Sequence, residues 1–375
     1  MAATELAHRL LRALANHWRA LFGGALATGA AGAATLPEDK AELIYHVYDG
    51  GGVKATGPAL LVRKSLADRV SLSAQYYIDA VSNASIDVVT TASPFKETRT
   101  AWDVGVETVV RDSTLGLSLS RSTEPDYQAD NFNLDATHEV FGGMTTVSLG
   151  FGRGRDLVGR KGVQGWIDQA THWQYRTGIT QILTPRWLMS ANAEVISDSG
   201  YLGSPYRAAR VFGAAVPERN PRTRTGRALK LRSISDTGAL VSRSSFRAEY
   251  RYYWDTWDIR AHTTELGASR YLGDRLLVDA TLRFYSQGRA LFYSDNASSE
   301  TLYISRNRQL AAFTSNSFGA RVTYTWPGLP AGYGLKLSAS YELKQFKFSN
   351  FTDLRTGAPY QHKANVLQLA ASGTF

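Results

Sequence analysis

Residues that could carry out chemistry are few in this chain, and they lack the spacings that known sites require. There is no cysteine, which excludes disulfides, thiolate metal sites and cysteine nucleophiles. The seven histidines form no His-x-His or His-Glu-x-x-His pattern, so no zinc site is indicated. The run Gly150-Phe-Gly-Arg-Gly is not followed by a helical pattern and does not predict a phosphate-binding loop. We predict no catalytic residue, no metal, no cofactor and no enzyme activity.

Charge is the feature of the composition that most needs an explanation. The chain has a formal net charge of +9 at pH 7 and a sequence pI of about 9.6. Such an excess is compatible with nucleic acid, with anionic lipid head groups, or with a pore that conducts anions. The placement of the arginines along the chain must decide among these partners.

Apolar and polar residues alternate with a period of two from residue 39 onward. In the segment 333–344 one face carries Tyr333, Leu335, Leu337, Ala339, Tyr341 and Leu343, and the other carries Lys336, Ser338, Ser340, Glu342 and Lys344. Residues that alternate in this way lie on opposite faces of a β-strand. Comparable ladders lie near 41–49, 56–66, 69–80, 98–110, 112–122, 126–139, 144–154, 171–182, 186–197, 223–235, 239–252, 258–270, 274–287, 311–325, 332–346 and 363–375. The sequence therefore predicts an all-β fold of about 16 strands, with a range of about 14–18.

Two properties distinguish these ladders from the strands of a soluble sandwich. Many run to roughly ten residues or more, whereas globular strands average about 5–6 and a tilted strand that crosses a bilayer needs about 9–11. Their connections also tend to alternate between tight turns, such as Gly142-Gly143, and long excursions, such as 198–222. Short periplasmic turns and long extracellular loops are typical of outer-membrane barrels. We predict a transmembrane antiparallel up-and-down β-barrel in the cell outer membrane of a Gram-negative bacterium.

The N-terminus predicts export. Arg9, Arg12 and Arg19 precede a charge-free stretch, residues 20–36, that ends in small residues. This pattern indicates a secretory signal peptide over residues 1–34, cleaved near Ala33 or Ala34, which leaves 35–375 as a single barrel domain. The alternative is a retained amphipathic helix, which the spacing of Leu6, Leu10, Leu11 and Leu14 would also allow.

The C-terminus predicts assembly. The last ladder closes on Phe375, with Leu367 and Leu369 on the same face. A C-terminal aromatic residue after such a ladder resembles the signal that the barrel-assembly machinery recognises. We therefore predict that Phe375 is the assembly signal.

Several longer segments resemble a bacterial family of outer-membrane β-barrels of unknown function, the domain of unknown function 3570. The resemblance is carried by Asp39-Lys-Ala-Glu-Leu-Ile-Tyr-His-Val-Tyr-Asp-Gly-Gly-Gly-Val, Gly57-Pro-Ala-Leu-Leu-Val-Arg-Lys, Ala84-Ser-Ile-Asp-Val-Val-Thr-Thr-Ala-Ser-Pro-Phe-Lys-Glu, Pro221-Arg-Thr-Arg-Thr, Tyr253-Trp-Asp-Thr-Trp and Phe292-Tyr-Ser-Asp. It covers almost the whole chain after the predicted leader and implies a barrel without an established activity. Members of this family often sit beside genes for flavin transfer and thioredoxin-like proteins. The resemblance therefore also implies an envelope redox or metal-handling context.

The ladders predict which charged residues face the barrel interior. An Arg or Lys on the lipid face at mid-bilayer costs about 2–4 kcal/mol, which favours placing these residues inward. The predicted basic wall of the lumen consists of Arg224, Lys230, Arg232, Arg243, Arg247 and Arg251, and the predicted lumen acids are Asp103, Glu107, Glu194 and Asp279. The alternative is that neighbouring acids neutralise the arginines, which then only brace the interior.

The second extracellular loop is rich in hydroxyl and apolar residues, which is unusual for a solvated loop. We expect it to fold into the barrel mouth, with a compact surface loop as the alternative. The residues of this predicted mouth loop are Ser85, Asp87, Thr90, Thr91 and Ser93. Acids at predicted strand ends, such as Asp126 and Asp156, could bind a hard cation such as calcium, although scattered solvated acids are the commoner arrangement.

Three functions are compatible with these features. The first is a porin-like channel for small solutes, with a bias toward anions. The second is a plugged barrel that acts as a receptor or scaffold for an envelope redox or metal-handling partner. The third is an outer-membrane hydrolase, for which nothing marks a nucleophile. The expected partners are outer-membrane lipid and lipopolysaccharide, the barrel-assembly machinery, and either small anionic solutes or a periplasmic redox protein, with no nucleic acid.

Overall fold

The structure is a computed structural model that describes residues 34–83 and 95–375. All but the last residue of the predicted signal peptide therefore lies outside the described residues, as does the predicted mouth loop with Ser85, Asp87, Thr90, Thr91 and Ser93. Within the described part of the chain, no helix is long and apolar enough to cross a membrane.

The described residues form a closed antiparallel barrel of 16 strands. In chain order its strands are β1 (Lys40–Gly50), β2 (Val53–Leu66), β3 (Val70–Asn83), β4 (Phe95–Val110), β5 (Ser113–Glu124), β6 (Tyr127–Val140), β7 (Thr145–Gly159), β8 (Trp166–Thr184), β9 (Trp187–Gly200), β12 (Thr223–Asp236), β13 (Ser244–Asp255), β14 (Arg260–Leu272), β15 (Leu276–Gln287), β16 (Phe313–Thr325), β17 (Gly334–Thr352) and β18 (Pro359–Thr374). Two short strands, β10 (Ala208–Val211) and β11 (Ala214–Pro217), form a separate hairpin, and a 3-10 turn spans Arg308–Leu310.

Each barrel strand pairs with its neighbour in sequence, β9 pairs with β12 across the inserted hairpin, and β18 pairs with β1 to close the ring. Closure removes every unpaired sheet edge, which is the condition for a sheet to cross a bilayer. The predicted fold class is confirmed, and each predicted ladder overlaps one barrel strand.

Alternation along the strands sorts side chains between the outer surface and the lumen. On β7, Val147 and Leu149 point outward and are 38% and 59% exposed. The alternate residues of this strand point inward, and three of them are glycines in place of larger side chains, namely Gly150, Gly152 and Gly154. A Cβ atom on Gly150 would lie 2.6 Å from Nε of Arg176, and one on Gly154 would lie 2.6 Å from Oδ1 of Asn131. These glycines therefore leave room for lumen side chains of the adjacent strands, β6 and β8.

The two ends of the barrel differ in their connections. At the turn end, where β1 begins and β18 ends, most connections are short. They are 67–69, 111–112, 141–144, 185–186, 237–243, 273–275 and 326–333. At the loop end the connections are L1 (51–52), L2 (84–94), L3 (125–126), L4 (160–165), L5 (201–222, which contains β10 and β11), L6 (256–259), L7 (288–312) and L8 (353–358). L5 and L7 are the longest, and they position the features of the barrel mouth.

Candidate functional site: the lumen and its mouth

Five of the six residues of the predicted basic wall lie on β12 and β13, and four of these five are paired with carboxylates. Nε of Arg224 lies 2.8 Å from Oδ2 of Asp255, and both side chains are buried. Nζ of Lys230 lies 2.9 Å from Oε1 of Glu249 on the next strand. Arg232, the fifth member, stands opposite Glu249 in the strand register.

The two remaining ion pairs connect β13 to β14 and to β9. Nη2 of Arg247 lies 2.7 Å from Oε1 of Glu265 on β14, and Nη2 of Arg251 lies 3.4 Å from Oε2 of Glu194 on β9. These contacts favour the alternative in which acids neutralise the arginines. They leave little uncompensated positive charge on this part of the wall.

Arg243 does not belong to the wall, which corrects its predicted place. Strand β13 begins at Ser244, and Arg243 lies in the preceding turn with a φ of 58°. Its guanidinium lies 2.6 Å from Oδ1 of Asp274, in the neighbouring turn between β14 and β15. The even spacing from Arg247 suggested a common face, but the ladder is interrupted by the turn.

The predicted lumen acids occupy inward positions on three strands. Asp103 and Glu107 alternate on β4 with outward Trp102 and Val104, which are 41% and 44% exposed. Glu194 on β9 accepts hydrogen bonds from Gln174 and Arg251. Asp279 on β15 accepts a 2.5 Å hydrogen bond from the hydroxyl of Ser269.

Taken around the ring, the lumen has two walls of different charge. From β3 to β9, the inward charged residues are Asp79, Glu97, Asp103, Glu107, Glu124, Asp135, Glu139, Asp156, Glu194 and Asp198, against Arg99 and Arg176. From β12 to β17 they are Arg224, Lys230, Arg232, Arg247, Arg251, Arg283, Arg321, Lys336 and Lys344, against Asp236, Glu249, Asp255, Glu265, Asp279 and Glu342. Acids dominate the first half of the ring, and bases are in modest excess on the second.

Charged side chains in the middle of the lumen are partly exposed. The side chains of Arg247 and Glu265 are 34% and 16% exposed, although both point into the barrel. Lys230 and Glu249 are 29% and 19% exposed. Ion pairs of this kind favour a hydrated interior, because the loss of hydration in a dry one often costs more than the attraction between the paired charges returns. The lumen beside these pairs therefore leaves room for water and is not a packed core.

Two loops, L5 and L7, are connected to each other and cross the mouth at the loop end. We call these two loops the strap. On one side, the hydroxyl of Tyr206 in L5 donates a 2.7 Å hydrogen bond to Oδ2 of Asp126 in L3. Burial raises the pKa of Tyr206, so this hydroxyl remains a donor at neutral pH. The backbone N–H of Lys161 in L4 donates to the same tyrosine oxygen.

L5 and L7 then join by backbone hydrogen bonds. The N–H of Phe212 donates to the carbonyl of Ala297, and Arg219 and Ile304 exchange two hydrogen bonds of 2.9 and 2.8 Å. Ala209, Val211 and Ile304 bury their side chains together at this junction. The two loops consequently form one unit.

L7 is anchored on the opposite side of the ring. The hydroxyl of Tyr293 donates a 2.8 Å hydrogen bond to the carbonyl of Asn350, at the loop end of β17. Arg306 donates to the carbonyl of Thr352 at 2.7 Å and places its guanidinium 4.3 Å from the ring centroid of Phe351. The strap thus runs from L3 and L4, across L5 and L7, to β17.

A small apolar core, which we call the mouth cluster, holds L7 in place. Its buried members are Trp257, Ile259, Ala290, Tyr293, Leu310, Ala311, Phe348, Phe351 and Tyr360. They come from L6, L7 and the loop ends of β17 and β18, so that the cluster closes this side of the mouth. Arg308, also buried, donates from Nη1 to the hydroxyl of Tyr360 at 3.4 Å.

Two histidine pairs inside the loop end were not predicted. Nε2 of His46 lies 2.7 Å from Oδ1 of Asp79, with the ring of Tyr77 stacked 5.3 Å away. His172 lies between two acids, with Nδ1 2.7 Å from Asp198 and Nε2 2.7 Å from Asp156. The partners come from different strands, so no local spacing could have indicated them.

No group of three or more acids or histidines suited to a metal ion occurs among residues 34–83 and 95–375. The acids of the loop end instead hydrogen-bond within the protein, as Asp126 does with Tyr206 and Asp156 does with Tyr127. Their contacts tie strands and loops together at the mouth.

Phe375 lies beyond β18 at the turn end and is 43% exposed. Its N–H lies 3.3 Å from the carbonyl of Asp39, and Nζ of Lys64 lies 5.0 Å from its ring centroid. The aromatic ring is thus accessible beside the seam between β18 and β1.

These features define a class: the chain is a closed 16-stranded β-barrel of the type found in bacterial outer membranes, with loops across one mouth. The family described as "Protein of unknown function (DUF3570)" matches residues 28–170 and 160–347, and the chain belongs to this family. The resemblance noted in the sequence is therefore confirmed. No curated protein matches the chain with significant similarity.

Solved structures with a similar fold include three kinds of outer-membrane protein. A bacterial polysaccharide outer membrane secretin is 11% identical, with a TM-score of 0.52 over 91% of this chain and 100% of that chain. A loop-deleted OmpT of Vibrio cholerae is 8% identical, with a TM-score of 0.46 over 89% and 97% of the two chains. The siderophore receptor PirA of Pseudomonas aeruginosa is 13% identical, with a TM-score of 0.44 over 85% of this chain but only 60% of the receptor. These likenesses concern the fold alone.

Proposed function

We propose that this chain is a porin-like channel of the outer membrane that conducts small polar solutes through an aqueous lumen narrowed by the strap. The observation that carries this proposal is the set of partly exposed ion pairs in the lumen, such as Arg247 with Glu265. Barrels of this size that are not plugged throughout hold a water-filled channel. The turn end is then periplasmic, the loop end faces outward, and the protein has a transport role without catalysis.

The charge of the preferred solute follows from the pairing of the two walls. Because most of the basic wall is neutralised and acids outnumber bases on the wall from β3 to β9, we propose a weak preference for cations in place of a strong anion selectivity. Small uncharged and zwitterionic solutes suit such a lumen, since both walls offer hydrogen-bonding partners and neither expels them. Small anions remain acceptable solutes near Arg232 and Arg283.

Liposome swelling tests this proposal, because it measures solute entry directly. We expect liposomes that contain the purified protein to swell in monosaccharides and small zwitterions, and to swell much more slowly in trisaccharides. Replacing both Tyr206 and Tyr293 by Phe removes two strap hydrogen bonds while keeping the rings, and should raise trisaccharide entry severalfold. Tyr303→Phe, on an exposed side chain of L7, is the matched control and should not change the rates. Absence of swelling in every solute would contradict the channel.

A second candidate, a plugged receptor or scaffold, is favoured by one observation. The mouth cluster is packed like a small protein core, with Phe351 and Leu310 each only 1% exposed. If the strap never opens, the lumen is a cavity that is open only at the turn end. A cavity of this kind would suit a periplasmic redox or metal-handling partner. Tight binding of such a partner, together with absent swelling, would support this candidate over the channel.

A further inference from the structure

The outer surface of the barrel carries a cluster of arginines just above an aromatic band, on strands β5 to β8. Arg121, Arg153 and Arg155 all point away from the lumen, because they alternate with inward residues of β5 and β7. Below them, Phe151 and Tyr175 pack at a centroid distance of 5.6 Å, and Phe151 also contacts Trp173. Aromatic residues of this kind mark the boundary between hydrocarbon and head groups in outer-membrane barrels.

The height of the cluster agrees with that boundary. Arg155 lies ten residues beyond Thr145, where β7 leaves the turn end. At about 3.3 Å per residue and a strand tilt of about 40°, this distance spans about 25 Å, the height of the apolar band of such barrels. The outward residues that precede Arg153 on this strand, which are Val147, Leu149 and Phe151, are apolar. The cluster therefore lies at the head groups of the outer leaflet.

The three arginines share a single acid, Asp130, which lies opposite Arg121 and Arg155 in the strand register. Arg121 is paired with Asp130, from Nε to Oδ1 at 2.5 Å. Arg155 donates to the neutral amide of Gln169 at 2.9 Å, and the guanidinium of Arg153 lies 4.8 Å from the ring centroid of Trp173. Among the described residues, neither Arg153 nor Arg155 has a carboxylate within ion-pair distance. Both side chains are exposed, so their charges are directed at the lipid.

We propose that this surface binds the phosphorylated glucosamine head group of lipid A. Arg153 and Arg155 are two residues apart on one strand, so their guanidinium groups project in parallel, about 7 Å apart along the chain. Guanidinium groups recognise phosphate with paired N–H donors, and a glucosamine phosphate at head-group level presents the matching charge. Trp173 fixes the depth of Arg153 and supplies a flat face against the sugar. The proposal requires the outer-membrane location given above, but it does not depend on transport.

The test compares lipids that differ only in phosphate. The protein, folded in detergent, is titrated with bisphosphorylated lipid A and with lipid A whose phosphates have been removed, and bound lipid is counted by native mass spectrometry. We expect the phosphorylated form to bind at least tenfold more tightly to the wild type. Replacing Arg153 and Arg155 together by Ser should abolish this difference. Unchanged heat-dependent migration in SDS would show that the variant is still folded.

A lone outward arginine provides the matched control. Arg227 on β12 also faces the lipid, nine residues from the turn end of its strand at Asp236, and is exposed. Arg227→Ser should leave the preference for phosphate intact, because this arginine has no second guanidinium beside it on the same strand. Equal binding of the two lipids by the wild type would overturn the proposal. It would also be overturned if the Arg227 variant lost as much affinity as the double variant, since the attraction would then be general to the lipid face.

Discussion

Replacing Arg247 and Arg251 together by Ser should make the lumen selective for cations. In the wild type these arginines neutralise Glu265 and Glu194, at N–O distances of 2.7 and 3.4 Å. The substitution removes two positive charges and leaves both carboxylates facing water. It does not touch the outer face of β13, so the barrel should still assemble.

The expected size of the effect follows from the geometry of an aqueous lumen. A monovalent cation that passes about 6 Å from a carboxylate gains about 0.7 kcal/mol at the dielectric constant of water, or about threefold in local concentration. Two carboxylates together would give about tenfold without screening. At 0.1 M salt the Debye length is about 10 Å, so the permeability ratio of cation to anion should rise about three- to tenfold. At 1 M salt, where the Debye length is about 3 Å, most of this change should disappear.

Reversal potentials in a salt gradient across a planar bilayer measure this ratio. Arg243→Ser is the control, because Arg243 lies in a turn and pairs with Asp274 outside the lumen. We expect this control to match the wild type. If the double variant also matched the wild type at low salt, then solutes would not pass this wall, and the reasoning would be refuted.

Three further outcomes are expected. Unheated protein in mild SDS should migrate differently from boiled protein, because a closed ladder has no edge from which to unravel; identical migration would contradict the barrel. Removal of Phe375 should leave synthesis and export intact but lower insertion into the outer membrane. Phe141→Ala, which changes an exposed aromatic residue in a turn, should not lower insertion. Equal surface levels of the wild type and both variants would show that the assembly machinery does not recognise Phe375. Gly57→Ala should lower the free energy of unfolding by about 1–3 kcal/mol, because the added Cβ would lie 1.7 Å from the carbonyl oxygen of Ile78. Gly116→Ala, whose Cβ would lie 3.5 Å from its nearest atom, should leave that free energy unchanged. Unfolding in urea measures both values.

The sequence predicted the barrel well because strand alternation is a local signal. Each outward residue must meet lipid, so Leu335, Leu337 and Tyr341 had to share one face whatever the loops do. Glycine and aspartate at the turns marked where most ladders ended. Arg243 was misplaced because its spacing continued the ladder across a turn, and a positive φ at a non-glycine residue leaves no mark in the sequence.

The mouth could not be predicted in the same way. Tyr206, Tyr293 and Arg308 lie in loops without periodicity, and their partners are up to eighty residues away in the chain. The pairing of His172 with Asp156 and Asp198 depends equally on strand register, which a single sequence does not give to the residue. Neutralisation of the lumen arginines was one of two alternatives in the sequence, and the acid that pairs with each base follows only from the alignment of neighbouring strands.

Single-channel recording of the purified wild-type protein in a planar bilayer tests the central claim most directly, because it asks whether the lumen is continuous. Replacing Val211 and Ala297 together by Cys supplies a lock, since these residues form a β-bridge between L5 and L7 and the chain has no other cysteine. We predict stable stepwise conductance for the wild type. The double-cysteine variant with its disulfide formed should show fewer large openings, and reduction of the disulfide should restore them. Wild-type membranes that stay silent, although the protein is folded and inserted, would contradict the channel.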